Sequence, residues 1–484
     1  MQSELDAFSI SAYGYNTKRT YTQGYFNAYD PRRMSAVAAV SGQAGPDPTK
    51  PFTYADFGSG FGMTALLLAR ALPHGQFYAI DFIEEHITTG RRAAELMGVE
   101  NITYVHAGFD SLGEGDLPPL DYATAHGILS WVSAEVRGQL RRCLDNFLKP
   151  TGLFLTSFNH IAGWGDTIAA RELFKAGYDM GLAERGIRDL TLSIVEAGVS
   201  KKERSYPSML RSITKDNLDY LQHELLNNHW TCFTCRQVAE EMEEIGFSFI
   251  GPWLSPMQIR PVTDRPLGIE DRLFWEDAFF LRTASTFQRM LFAKEPLAVP
   301  PLTQRADLPA VHFTLSPTEK VPPNSKLAET DIGTSAPYGS MPLTELGRIL
   351  PDADEVLGLD ATVRSSTVAF TSRPVVPVEG VAAFVLSGDV KVQFKAQAAL
   401  EIDTPAISVP AAQAVIDLPG DVILILKRCA GKNPADFARL LAGADWIDEP
   451  TPAHNAAVES WTNIWAPWLA GLGAIEPMAG QAEN

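Results

Sequence analysis

Between residues 52 and 160 the apolar positions fall into two alternating rhythms. Short runs rich in β-branched and aromatic residues, "FTYADF" (52–57), "QFYAID" (76–81), "NITYVHA" (101–107), "LDYATAH" (120–126) and "GLFLTSFN" (152–159), predict strands. Between them, "MTALLLARAL" (63–72), "EEHITTGRRAAELMG" (84–98) and "SAEVRGQLRRCLDNFL" (133–148) repeat at helical spacing, with Gly98 closing the second and Pro150 ending the third. Regular strand–helix alternation implies a parallel sheet with helices on both faces.

The rhythm then changes. Residues 165–230 are mostly helical in pattern, carry charge clusters such as "KKER" (201–204), and hold no convincing strand. The α/β pattern returns with an amphipathic helix, "TCRQVAEEMEEIG" (234–246), whose Val238, Met242 and Ile245 are apolar and which Gly246 stops. "FSFIG" (247–251) and "FQRMLFA" (287–293) predict two more strands around an aromatic-rich helix, "DRLFWEDAFFLRT" (271–283). Proline-rich "KEPLAVPPLTQRADLP" and "SPTEKVPPNSK" then form a linker. Beyond it, "VKVQFKA" (390–396) and "DVILILKR" (421–428) predict strands, and "NPADFARLLAGA" (433–444) and "NAAVESWTNIWAPWLAGL" (455–472) predict helices. Trp461, Trp465 and Trp468 share one helical face, which reads as core or as a contact in a homodimer.

These patterns predict an α/β fold: a Rossmann-like sheet with a helical insertion and a separate C-terminal mixed α/β domain. Residues 1–164 form the core, 165–230 the insertion, 231–298 complete the sheet, and 299–484 make the C-terminal domain. A length of 484 residues fits several domains. The longest apolar runs fall short of the ~18 residues that span a bilayer, and "MQSELDAFSISAYGYN" lacks the basic start and apolar core of a secretory signal. The expectation is a cytoplasmic protein without a membrane span. A net charge of −18 repels nucleic acid and favours cationic partners, besides aiding solubility. Four cysteines give no disulfide framework. "CFTC" (232–235) has no second pair to complete a zinc site, so its thiols read as structural groups at a helix start, and no metal is expected.

Candidate chemistry concentrates in "DFGSGFG" (56–62). A turn after a parallel strand lies at the carboxyl edge of the sheet, where open α/β folds bind ligands. Glycines there let a ligand lie against bare backbone. A dinucleotide site wants G-x-G-x-x-G, but Met63 stands where its third glycine would be, and an acid, Asp56, precedes the turn. An acid suits a ligand with a positive group, such as an amino acid's ammonium. A second acid, Asp81, ends the next strand, where a carboxylate can accept from both ribose hydroxyls. An ammonium-bearing amino acid joined to a nucleoside is S-adenosylmethionine.

The segment resembles the cofactor motif of class I S-adenosylmethionine-dependent methyltransferases. More narrowly, the chain is similar to the subgroup with a methyltransferase regulatory domain, which includes bacterial outer-membrane-protein lysine methyltransferases. The features that carry this are "YGYNTKRTY" (13–21), "DFGSGFG" (56–62), "AIDFIEEHITTGRRAAELMGVENITYVHAGFDSL" (79–112), "DYATAHGILSWVS" (121–133), "SFNHIAGW" (157–164) and "FQRMLFAK" (287–294). They cover about residues 10–295; nothing beyond residue 300 is matched.

The resemblance implies a role for each residue. Asp56 accepts from the methionyl ammonium, and Gly58, Ser59, Gly60 and Gly62 line the methionyl and ribose face. Asp81 holds the ribose, with Phe82 against the adenine. Where the family often has an acid for the adenine amine, this chain has Gly108 and Phe109, with Asp110 slightly late. His126 and Gly127 approach the sulfonium; His126 also reads as a buried core histidine. Tyr13, Tyr15, Tyr21 and Tyr25 form a lid, in which Tyr15 and Tyr21, with His126 and Asn159, orient the nucleophile. Trp131 and Trp164, after the fourth and fifth strands, meet the acceptor or fill the core.

Methyl transfer is an in-line displacement that needs a neutral nucleophile held at about 3 Å in a site that excludes water. The acceptor is read as a protein lysine or a small molecule. A cofactor-binding protein without turnover is a further alternative.

Overall fold

The computed structural model describes residues 24–182, 186–187, 189, 225–252, 271–283, 285–300, 312–315, 329–331, 340–342, 345, 368–371, 375–379, 381, 384–431, 456 and 459–478. Its first unit is a seven-stranded sheet. In chain order the strands are β1 (Phe52–Phe57), β2 (Gly75–Asp81), β3 (Ile102–His106), β4 (Leu120–Ala125), β5 (Leu148–Asn159), β6 (Ser248–Pro252) and β7 (Phe287–Ala293). Across the sheet they run β3-β2-β1-β4-β5-β7-β6. The first five pair in parallel, and β7 is antiparallel to both β5 and β6. The order reverses between β1 and β4, which opens a crevice at their carboxyl ends.

Among the described residues, five helices accompany the sheet up to the end of the 161–179 segment. They are α1 (Pro31–Val40), α2 (Met63–Ala71), α3 (Glu84–Met97), α4 (Ala134–Phe147) and α5 (Ile161–Asp179). The Asp30 carboxylate caps α1 through the Arg32 amide, with Pro31 at the first helical position, where its missing N–H costs nothing. Helix α4 is capped by Ser133 and ends at Phe147; β5 begins at once, so Pro150 lies inside the start of a strand rather than at a helix end. Helix α3 ends at Gly98 in the left-handed conformation. Helix α6 (Cys235–Glu243) starts with a capping box between Thr234 and Gln237, and α7 (Arg272–Thr283) leads into β7. Within 165–230 the described helical stretch is mainly α5; the charged run "KKER" lies outside the described residues.

The C-terminal domain forms smaller sheets. Strands β8 (His312–Leu315), β9 (Ser340–Pro342) and β10 (Val368–Thr371) make one; β11 (Phe384–Leu386) pairs with β14 (Ile475–Pro477), and β12 (Ala406–Val409) with β13 (Ala414–Asp417). Two sequence expectations fail here. "VKVQFKA" lies in helix α8 (Gly388–Ala399), and "DVILILKR" lies in helix α9 (Gly420–Cys429). Both windows are rich in β-branched residues, but each follows a Ser or Pro start and runs long enough to close helical turns. Val422, Ile423, Ile425, Leu426 and Cys429 of α9 are buried at a 3.6-residue spacing. "NPADFARLLAGA" lies outside the described residues. Helix α10 (Ala466–Leu472) and the π-helical turn Trp461–Trp465 before it carry the three tryptophans, all inside the C-terminal core.

The C-terminal domain packs on α2 and α3. Ala396, Ile402, Ala406 and Val415 join the core of the first sheet. Ser408 donates its hydroxyl to the Leu67 carbonyl at 3.1 Å, and Arg70 pairs with Asp389 at 3.0 Å. Asn27 donates to Asp417 at 3.0 Å, and the Arg32 guanidinium donates to the Gln413 carbonyl. The short strip 24–30 ahead of α1 is thus held from the far end of the chain. Burial raises the Asp417 carboxyl to about 6 there, against the pull of Arg33.

Candidate active site

The glycine turn is clipped to the end of β2. The Gly58 and Ser59 amides donate to the Ile80 carbonyl at 2.8 and 2.9 Å, and the Gly60 amide donates to the Asp81 carboxylate at 2.8 Å. The second Asp81 oxygen accepts from the Ile83 amide at 2.9 Å. Asp81 is therefore aimed by two backbone donors, and each oxygen keeps a lone pair for a ligand. Gly60 and Gly62 both have positive φ, at 57° and 67°. A Cβ on Gly62 would come within 2.9 Å of Ala79 and 2.8 Å of the Tyr104 ring, so this glycine permits close helix–strand packing. A Cβ on Gly60 would meet nothing within 4 Å; bare backbone faces a cavity.

That cavity holds about 410 Å³. One end is formed by Phe82, Ile83, Ala107, Gly108 and Phe109, the middle by Asp56, Gly58, Ser59, Gly60 and Asp81, and the other end by His126, Gly127, Trp131, Phe287 and Arg289. Phe26 and Tyr29 of the strip before α1 form a wall.

Asp56 sits at the end of β1, 7% exposed. It accepts from the Thr124 hydroxyl at 2.9 Å, and no cation among the described residues pairs with it. Burial, opposed by that hydrogen bond and assisted by Asp81, raises its carboxyl to about 7. A buried carboxylate in this state calls for an external cation, and an ammonium fits.

His126 ends β4. Its Nδ1 lies 2.8 Å from the Tyr29 hydroxyl and 3.2 Å from the Ser157 hydroxyl, and its ring lies against Phe26, tilted by 42° with centroids 3.8 Å apart. Burial, with Arg289 nearby, lowers it to about 3. It is therefore neutral at physiological pH and too weak a base to hold an amine's proton; its part is to orient. Burial pushes Tyr29 up to about 12, so its hydroxyl stays protonated. Arg289 lies over the Phe287 ring and hydrogen-bonds the Tyr29 hydroxyl, and no carboxylate among the described residues forms an ion pair with it.

The sequence reading placed Asp56, Gly58, Ser59, Gly60, Asp81, Phe82, Gly108, Phe109, His126, Gly127 and Trp131 at the site, and all of these line the cavity. Gly62 stands just behind the wall as the residue before α2. Three expected residues lie elsewhere. Tyr25 is buried beside Asp30, Arg33 and Asp417, facing the C-terminal domain. Asn159 belongs to a backbone junction: its amide donates to the Ser130 hydroxyl, and its carbonyl accepts from the Phe233 amide. Trp164 donates to the Thr286 carbonyl at 2.9 Å and packs against Trp230, because α5 has already turned away from the sheet edge. Tyr13, Tyr15 and Tyr21 lie outside the described residues.

The sequence reading missed Phe26, Tyr29, Thr64, His86, Gln139, Phe287 and Arg289. The Asp-Pro helix start at 30–31 marked the strip that carries Tyr29. Gln139 was legible as a polar residue within the apolar stripe of α4, among Leu140, Cys143 and Leu144. The sequence also showed no ligand cluster, yet the fold brings His160, Cys235 and Asp277 within 4.8 Å of one another. Hydrogen bonds account for that meeting. Asp277 accepts from His160 at 2.9 Å and from the Cys235 amide at 2.6 Å, bracing the starts of α5 and α6 against α7.

Residues 55–154 match a protein family described as "Methyltransferase domain". The chain is 28% identical over 323 residues to the uncharacterized protein sll1526 of Synechocystis, a match spanning 62% of each chain. It is 24% identical over 216 residues to the uncharacterized protein RP028 of Rickettsia prowazekii, covering 42% of this chain and 84% of that one. Among solved structures, PKMT2 from Rickettsia typhi, solved alone and in complex with AdoHcy, superposes with a TM-score of 0.65 at 16% identity, over 94% of this chain and 100% of that one. This likeness extends through the C-terminal domain and shows the shared fold.

Proposed function

We propose that this chain, which carries a methyltransferase domain over residues 55–154, is an S-adenosylmethionine-dependent methyltransferase whose acceptor is the ε-amine of a protein lysine. The carrying observation is Asp56: a buried carboxylate without a cation partner among the described residues, in a cavity where Asp81 is aimed by two amides. Bound there, S-adenosylmethionine supplies an activated methyl group on a sulfonium. The Asp56 carboxylate receives the ammonium, Asp81 the ribose hydroxyls, and Phe82 and Phe109 flank the adenine. Phe26, Trp131 and Phe287 keep water from the other end.

A lysine must arrive without its proton. Neutral His126 does not take it, so solvent does before transfer, and the apolar end of the cavity lowers the amine's pKa. The rate should then climb between about pH 7 and 9, since a free lysine has a pKa of about 10.4. The net charge of −18 supports a basic partner, as does the fold shared with PKMT2. Arg289 favours a second reading, a small acceptor bearing a carboxylate, because it is the arginine of the cavity lining and has no acidic partner among the described residues.

A methyl-transfer assay separates these readings. The enzyme is given S-adenosylmethionine labelled in its methyl group and a lysate divided into protein and small-molecule fractions. Label on protein lysines, seen by mass spectrometry as one, two or three added methyl groups and reduced by added salt, supports the lysine reading. Label in the extractable fraction alone overturns it in favour of the second. Binding without transfer to either fraction overturns the enzymatic reading.

A further inference from the structure

The cavity's adenine end lacks the acid that would accept from the base's amine: Gly108 stands there. Yet a buried polar side chain enters the same end from another element. Gln139, in the second turn of α4, is 7% exposed, lines the cavity, and its amide oxygen is buried without a hydrogen-bond partner among the described residues. Its place is fixed by the turn below it. Cys143, four residues on and so on the same helix face, brings its thiol within 3.3 Å of the Phe109 carbonyl. Gln139 therefore stands one turn N-terminal to that contact on the same helix face, and it lines the cavity together with Ala107, Gly108 and Phe109. Val136 lines the cavity beside it.

A buried amide left unpaired costs on the order of 1–3 kcal/mol, and such groups normally have partners. Phe109, Val136 and Gly108 line the cavity with it and carry no acceptor side chain, and Phe109 offers an aromatic face. A planar base fits against that face, and one edge of adenine offers what a carboxamide needs: an amino group that donates and, next to it, a ring nitrogen that accepts. We propose that Gln139 reads the adenine edge of the cofactor, taking the amino proton on its carbonyl oxygen and donating its own N–H to the ring nitrogen, in place of the missing acid. This rests on the reading that the cavity takes S-adenosylmethionine.

The test compares two probes on the full chain by calorimetry: S-adenosylhomocysteine and its analogue in which hydrogen replaces the 6-amino group. The wild type should bind the second about tenfold more weakly, the worth of one well-made buried hydrogen bond plus its orphaned acceptor. Gln139→Met should bind S-adenosylhomocysteine about tenfold more weakly and lose most of the preference between probes. Gln139→Glu, which keeps the acceptor, should retain the preference. Melting of the ligand-free variants checks that each is folded, and Gln139→Glu serves where Gln139→Met is not. If the folded Gln139→Met keeps the wild-type preference, or the wild type shows none, the assignment is wrong while the cofactor reading stands. If the wild type binds neither probe, both fall.

Discussion

Asp56 gives the most direct test of the cofactor reading, because its charge state should respond to the ligand. Burial holds the carboxyl at about 7 when no cation is beside it. An ammonium placed about 4 Å away interacts by about 4 kcal/mol at an effective dielectric constant of about 20, or roughly three pKa units, which would bring the group down to about 4. The ligand thus favours the ionised form, and a proton leaves on binding. Between about pH 7 and 5 affinity should fall about tenfold per unit, so that pH 5 costs about a hundredfold relative to pH 8. Calorimetry with S-adenosylhomocysteine, repeated in buffers of different ionisation enthalpy, reads both quantities: the affinity slope, and close to one proton released at pH 6. Asp56→Asn should bind more weakly at pH 8 and flatten the slope. For the ligand-free chain the sign is opposite. A carboxyl raised above its unfolded value binds protons on folding, so its contribution to stability is present near pH 4 and is lost as pH rises through about 7. A wild-type affinity independent of pH from 5 to 8, or an unchanged slope in Asp56→Asn, would refute the reasoning.

Two further outcomes follow from the turn. Asp81→Asn removes a charge-assisted acceptor from the ribose site and should weaken S-adenosylhomocysteine binding more than tenfold, about 1.5–3 kcal/mol; equal calorimetric affinities would contradict the ribose role. Gly62→Ala and Gly60→Ala should part company: the first forces a Cβ against Ala79 and Tyr104 at positive φ and should cost about 2 kcal/mol or more in denaturant unfolding, whereas the second bears the positive-φ strain alone, about 1–2 kcal/mol, and should lose less stability yet bind cofactor poorly. A Gly60→Ala chain with wild-type affinity would show that no ligand approaches that backbone.

The first sheet was readable because each of its windows agrees with itself: apolar runs of strand length, helices of 3.6-residue period, and glycine or capping residues at the joints. α8 and α9 misled because β-branched residues outweighed their length and starts; burial against the first sheet and the C-terminal core, not local preference, decides them. The site divides in the same way. Asp56, Asp81 and the glycines are adjacent in sequence to the strand ends that place them, so spacing reveals them. Tyr29, Gln139 and Arg289 reach the cavity from elements whose docking depends on the whole fold. Tyr25 and Trp164 carry the right chemistry but lie on faces turned elsewhere, and which face a residue takes is set by packing partners far away in the chain.

The strip bearing Phe26 and Tyr29 is tied through Asn27 to Asp417, 390 positions later. At about 5–20 residues per second of synthesis, a ribosome makes one wall of the cavity roughly 20–80 seconds before the residue that holds it. The growing chain can complete its seven-stranded sheet, with every strand partner already made and the wall joined to Thr64, Tyr54 and His126, while the ties to the C-terminal domain are still to come. The outer fastening of that wall is thereby a late event in the life of each molecule. A chain released early would carry the glycine turn, both acids and the wall itself, but without the clasp of Asp417 and Gln413 on the strip that bears it.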